Sequence, residues 1–355
     1  MPRFIRLTVL RLPKDEGERH ATWLEIFFDL IFAVIVIQLS TRLLSHLDFI
    51  NILETSALLM PIVWTWASYT VFAARFDNND AIHWLMTFVI MFAAAIMAIQ
   101  IRFALEQGAN GFAIGFLIAQ ISILLLYSRT VYDNLTPKKL TSFYMIGFTL
   151  GGVFWVISLF FAPPIKFILW TLGMTIYLLI PWIGRNRILS QAPLDTVYIP
   201  ERFGAFTVII LGQTVAAVVF GLESASWHLS SAIMSILAFI LSALIWVQYY
   251  SLSQIANYKC TLGSGQPYIY SHVPLIISLM LIGVCAEDLI KSSGQIHASV
   301  NLFFCFSIIL YLTSFYLLNH FTVRQFKIIK RSYLAGIIAT LFLVFFYSLS
   351  SLIIM

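Results

Sequence analysis

The chain has 355 residues, of which 60% are hydrophobic and only 10% charged, and its mean hydropathy is +0.91. Soluble domains average about 25% charged residues, so the composition excludes a soluble enzyme or a nucleic-acid-binding domain and marks an all-α polytopic integral membrane protein. The formal charge of +5 then reports on topology rather than on nucleic acid, and membrane lipid is the partner expected.

Residues 1–20 form a basic segment with no small-residue cleavage site ahead of the first apolar stretch, which is therefore read as a retained helix. Within that segment "FIRLTVLRL" (4–12) alternates apolar and basic residues, which suits either the membrane surface or a flexible tail. Runs of roughly 17–25 apolar residues then mark candidate spans. They fall at 21–43, 50–72, 82–105, 111–131, 141–161, 165–183, 203–222, 228–252, 269–290, 297–318 and 332–354, eleven in all. Spans one to six (21–183) and seven to eleven (203–355) form two groups, joined by a polar linker at 184–202. The least marked boundary is the fifth, where only "APP" (162–164) intervenes.

Charge bias supports this count. With the N-terminus in the cytoplasm, the cytoplasmic segments hold 17 of the 21 basic residues, among them Arg3, Arg75, Arg129, Arg202 and Arg331. Only Arg42, Arg102, Lys166 and Lys291 fall on the other side. A parallel internal repeat is a further reading, because "ERH" (18–20) and "ERF" (201–203) open spans one and seven at an offset of 183. "WTWASY" (64–69) and "IWVQYY" (245–250) sit at similar points of spans two and eight.

The polar residues that intrude on the spans gather toward one side. Glu25 and Asp29 lie one helical turn apart in the first span, roughly 6 and 12 Å past its start at 1.5 Å per residue. "ARFDNNDAIH" (74–83) brings Arg75, Asp77, Asp80 and His83 to the same edge. Glu201 and Arg202 open span seven, with Gln213 three turns deeper, and His272 stands in the first turn of span nine. A charge at the bilayer centre costs about 2.5–3.5 kcal/mol on insertion scales. Glu25 and Asp29 are therefore expected to turn inward, toward Arg75, Arg202 or His272.

Plainer readings stand beside this one. Asp80 can cap the third span, with His83 in its first turn. Glu201 behind Pro200 fits a helix start. Asp77, Asp80 and His83 are metal-ligand types, but positions i, i+3 and i+6 spiral around a helix, so no metal site is assigned. Glu25 and Asp29 serve either as functional groups or as one half of a structural salt-bridge lock. Gly111 with Gly115, and Gly147 with Gly151, have the spacing of close helix contacts. Pro61, Pro181 and Pro274 are candidate kinks. Cys260, Cys285 and Cys305 are expected to be small buried hydrophobes. No phosphate-binding, dinucleotide or hydrolase motif occurs, so no catalytic residue and no cofactor are assigned.

"WLEIFFDLIF" (23–32) and "ERFGAFTVIILG" (201–212), with "ARFDNNDAIH" (74–83) and "YIYSHVPLII" (268–277), resemble in order and spacing the bacterial low temperature requirement A (LtrA) family. The resemblance extends over nearly the whole chain and implies a multi-pass bacterial inner-membrane protein linked to growth in the cold. It also implies a glutamate where this sequence has Gln213, while Glu25, Asp29, Glu201 and Arg202 match the family pattern. Three functions fit. A secondary transporter would use the carboxylates to carry protons or cations and the arginines to attract an unidentified small-molecule or ion ligand. A lipid-handling or metal-dependent enzyme would use Asp77, Asp80 and His83 at the cytoplasmic leaflet. A structural or regulatory component would need the ion pairs only for packing.

Overall fold

Helix is what an apolar chain must form to satisfy its own backbone away from water. The computed structural model describes residues 8–10, 20–77, 80–132, 138–184, 194–195, 197–225, 228–253, 265–292, 298–321 and 335. Among them the only extended pairing is two residues a side, β1 (Val9–Leu10) antiparallel to β2 (Phe76–Asp77). The rest of the regular structure is α1 (Trp23–Ser45), α2 (Phe49–Arg75), α3 (Ala81–Gln100), α4 (Ala109–Tyr132), α5 (Lys138–Ser158), α6 (Ile165–Gly184), α7 (Tyr198–Ser224), α8 (Leu229–Ser253), α9 (Gln266–Lys291) and α10 (Ala298–His320). All ten are long and apolar enough to cross a membrane. The chain is a multi-pass helical membrane protein. The eleventh predicted span, 332–354, lies outside the described residues apart from residue 335, as do Cys260 and most of the N-terminal segment.

The ten helices follow the predicted spans closely, and the largest displacements have local causes. α3 ends at Gln100, short of the predicted 105, and passes into a 3-10 turn over Ile101–Phe103. α7 starts at Tyr198 rather than 203 because the Asp195 carboxylate accepts the backbone N–H groups of Val197 and Tyr198. Pro200 falls in the first turn, where its missing N–H costs nothing. Glu201 and Arg202 are thereby held inside a helix rather than ahead of one. The prolines at 163 and 164 separate α5 from α6, as read from the sequence. α2, α6 and α9 run continuously through Pro61, Pro181 and Pro274.

The chain divides into two compact units. Unit 1 comprises Met1–Ile35, Ala57–Arg202 and Lys259–Ile269; unit 2 comprises Val36–Ser56, Phe203–Tyr258 and Tyr270–Met355. In unit 1, α3 packs on α4, α4 on α5 and α5 on α6. Small residues bring these backbones together without help from the hydrophobic effect, as membrane helices require. A Cβ at Gly147 would stand 2.6 Å from Ile180, and one at Gly151 would stand 2.8 Å from Tyr177. A Cβ at Gly115 of α4 would stand 3.0 Å from the Ala93 carbonyl of α3. Every residue from Pro61 to Phe76 of α2 and β2 is buried, although Thr65, Ser68, Thr70 and Arg75 are among them. In unit 2, Gly221 makes room for Ile290, and Gly283 for the Gln213 side chain. Of the two described cysteines Cys285 is buried but Cys305 is exposed, which corrects the expectation for the latter. In a membrane helix an exposed thiol faces acyl chains, so exposure carries little penalty for so apolar a group.

Candidate functional site

α1 begins with "TWLE", and Thr22 and Glu25 form a capping box. The Glu25 carboxylate accepts the Thr22 N–H at 2.8 Å, and the Glu25 N–H reaches the Thr22 hydroxyl at 3.3 Å. From there the helix has two unlike faces. Glu25, Phe28, Asp29, Phe32 and Ile35 recur at helical spacing and are buried, whereas Ile26, Phe27, Leu30 and Val34 are exposed to the hydrocarbon side. Both acids therefore turn inward, Asp29 to 0% exposure and Glu25 to 2%.

Their partners come from the start of α7. Arg202 donates through both terminal nitrogens to the two Asp29 oxygens, each at 2.8 Å. One turn earlier, Tyr198 donates its hydroxyl to Glu25 at 2.5 Å. Both pairs have the same sequence separation of 173. A constant separation means that the first turns of α1 and α7 run side by side in the same direction, with i, i+4 acceptors facing i, i+4 donors. Trp66 of α2 adds its indole N–H to Asp29 at 2.7 Å, and the Arg202 guanidinium stands 5.9 Å from the centre of that ring. Glu201 takes a different role: it accepts the backbone N–H of Ala21 at 3.1 Å and pairs with exposed His20 at 3.0 Å.

A fully buried charge pair survives only with good geometry and its remaining lone pairs satisfied, because removing each ion from water costs several kcal/mol. Asp29 meets that condition with a two-pronged guanidinium contact and an indole donor. The centre thus combines a titratable pair, a phenol and a second carboxylate, in line from the interior of unit 1 to the open end of α1 at Thr22.

The other predicted residues of unit 1 form separate contacts. Asp80 caps α3, accepting the His83 N–H at 2.9 Å, and also forms a two-pronged ion pair with Arg129 of α4. A carboxylate so occupied has little left for a metal. The His83 ring meets the Tyr69 hydroxyl at 3.2 Å, and Tyr69 lies 2.9 Å from the Thr87 hydroxyl. Arg75 donates to the Tyr144 hydroxyl at 2.7 Å and lies over that ring at 5.3 Å from its centre. Asp77 lies in β2, its side chain outside what is described. In unit 2, His272 contacts the Tyr249 hydroxyl at 3.0 Å, with the Phe203 ring 4.6 Å away. Gln213 is buried beside Gly283.

A model of the family described as "Bacterial low temperature requirement A protein (LtrA)" matches residues 20–355. The chain belongs to the LtrA family. It is also 23% identical over 297 residues to an uncharacterized protein of Rhizobium meliloti (strain 1021), covering 78% of this chain and 70% of the relative. The LtrA match takes in every residue of the Asp29 centre.

Sequence reasoning missed Tyr198, Trp66, Arg129 and Tyr144. A signal existed for Tyr198, which precedes Arg202 by four residues, the same spacing as Glu25 and Asp29. The "TWLE" capping box was legible too. The neutral donors Trp66 and Tyr144 carry no such mark, because aromatic residues in an apolar helix look like interfacial anchors.

Proposed function

We propose that this LtrA chain is a secondary transporter of a bacterial inner membrane, and that the Asp29–Arg202 pair is the group whose charge changes during its cycle. The observation that carries the reading is a fully buried acid–guanidinium pair on a membrane-spanning helix, one turn from a Tyr198–Glu25 contact that leads to the exposed end of α1. Ionisable residues inside membrane segments commonly mark ion or solute pathways. Protonating Asp29 would cancel one half of the pair and release Arg202 to hold an anionic group. Glu25 and Tyr198 would pass the proton toward the end of the span, which the distribution of basic residues assigns to the cytoplasm. The parallel course of the α1 and α7 first turns supports a parallel internal repeat of the kind transporters use. The description of the family supports a link to growth at low temperature.

The test is proton movement in vesicles. Purified protein is reconstituted with a pH-sensitive dye inside, the membrane potential is clamped, and small organic acids and cations are added outside in turn. At least one solute is expected to drive proton flux that Asp29→Asn abolishes while the variant still elutes as folded protein. Flux that Asp29→Asn leaves unchanged overturns the mechanism. The two-pronged geometry also favours a second reading, in which the pair only locks α1 to α7. The double exchange Asp29→Arg with Arg202→Asp separates them. Under the lock, the exchange restores everything; under transport, it restores stability without flux.

A further inference from the structure

We propose that unit 1 contains a second binding site, distinct from the Asp29 centre, that takes a single small anion of halide size. The site is a small, partly open cavity of about 20 Å³, room for a single water-sized group. Its lining includes Trp64 and Ser68 of α2, Tyr127 of α4, Tyr144 of α5 and Gln266 at the start of α9. Apolar groups such as Val71 and Phe148 complete its walls.

Each polar side chain in that lining carries a donor, and the hydroxyls and the amide carry an acceptor as well. The Trp64 indole N–H and the Ser68 hydroxyl are buried and have no hydrogen-bond partner among the described residues. An indole nitrogen can only donate. The Tyr127 hydroxyl is buried beside the Arg75 guanidinium. Tyr144 accepts from Arg75, so its own proton is available to another acceptor. Buried polar groups are hydrogen-bonded in the great majority of native structures, and an idle donor costs about 1–3 kcal/mol. A cavity whose wall keeps an indole N–H and a hydroxyl idle, beside a buried guanidinium, is complementary to an acceptor that carries negative charge. Apolar walls remove competing water and strengthen those contacts. The site stands on its own geometry, and its fate is independent of whether the Asp29 pair carries protons.

Thermal melting of the full-length protein in detergent tests it. Fluoride, chloride and bromide are titrated against a bulky anion, gluconate, at constant ionic strength. At least one is expected to raise the melting temperature saturably, by roughly 2–5 °C far above its dissociation constant. Ser68→Ala removes a hydroxyl without a partner among the described residues and is expected to melt at or above the wild-type temperature without added anion. Trp64→Phe also loses ring packing beside Tyr177 and is expected to melt lower. Both are expected to lose the rise. Asp29→Asn is expected to keep it. The proposal fails if none of the three anions gives a saturable rise, which would leave only water in the cavity. It fails equally if the rise survives in both cavity variants, or if Asp29→Asn removes it.

Discussion

On one face of α2, Trp66 reaches Asp29, and there both carboxylates are filled by donors: two guanidinium nitrogens and an indole on one, a phenol and a backbone amide on the other, although the Arg202 Nε has no partner among the described residues. Trp64 and Ser68 lie two residues to either side of Trp66, about 200° round the helix at 3.6 residues per turn. On that opposite face they meet a cavity, and their donors have no partner among the described residues. The two faces share a helix, an environment and a buried arginine each, yet one is closed by protein and the other is left open. A matched cluster holds helices in register. An unmatched one keeps binding capacity in reserve, at a cost to stability that no packing argument explains.

Breaking the closed face should be the more damaging. Arg202→Ala strands Asp29 as a buried charge and is expected to cost about 3–5 kcal/mol, read as a large fall in the melting temperature in detergent. A variant that melts within a degree or two of wild type would show that Asp29 is not held by an ion pair. On the open face, Arg75→Met leaves a neutral phenol at Tyr144 without its donor and removes the cation–π contact, so about 1–2 kcal/mol is expected from the same measurement. If Arg75→Met proves as costly as Arg202→Ala, the distinction between the faces collapses. Tyr198→Phe removes one hydroxyl from Glu25 and should cost about 1 kcal/mol. Thr22→Ala, which undoes the capping box, should cost a similar amount, about 1 kcal/mol. A loss several times larger in either would mean that Glu25 does more than receive hydrogen bonds.

How much of this the sequence disclosed depends on the range of the interaction. Hydropathy is a local sum, so the ten described helices were readable, and so was the Asp80 cap, which involves residues three apart. The inward turn of Glu25 and Asp29 followed from the cost of placing either against lipid. Pairing was harder. Arg202 was one of three bases named for the acids, and nothing in the chain chose it over Arg75 or His272. The choice rests on the start of α7, which Asp195 moves forward five residues so that Tyr198 and Arg202 both fall on helical positions. The glycine pairs were legible as close contacts, although which side chain each would meet was not. The cavity beside Ser68 was invisible for a related reason: serine and tryptophan in an apolar helix are common, and only the packing of α2, α4 and α5 shows that their donors end without partners.

The smallest effect expected is a null, and it decides whether the two faces act separately. Tyr198→Phe perturbs the closed face and Ser68→Ala the open one. Ser68→Ala alone should change stability by no more than about 0.5 kcal/mol or raise it slightly, because it deletes a hydroxyl that has nothing to lose. Sites that share no partner and lie across a helix about 10 Å in diameter should combine additively, within about 0.3–0.5 kcal/mol. Melting of the two single variants and the double variant closes that cycle without anion. Repeating it at a saturating concentration of whichever anion binds asks a sharper question. If the coupling stays near zero, α2 is a rigid partition and the cavity is an independent site. If it grows to about 1 kcal/mol or more only when the anion is present, filling the cavity changes how α2 presents Trp66 to Asp29. Occupancy on one face would then be felt by the titratable pair on the other, which is the linkage a coupled transporter requires.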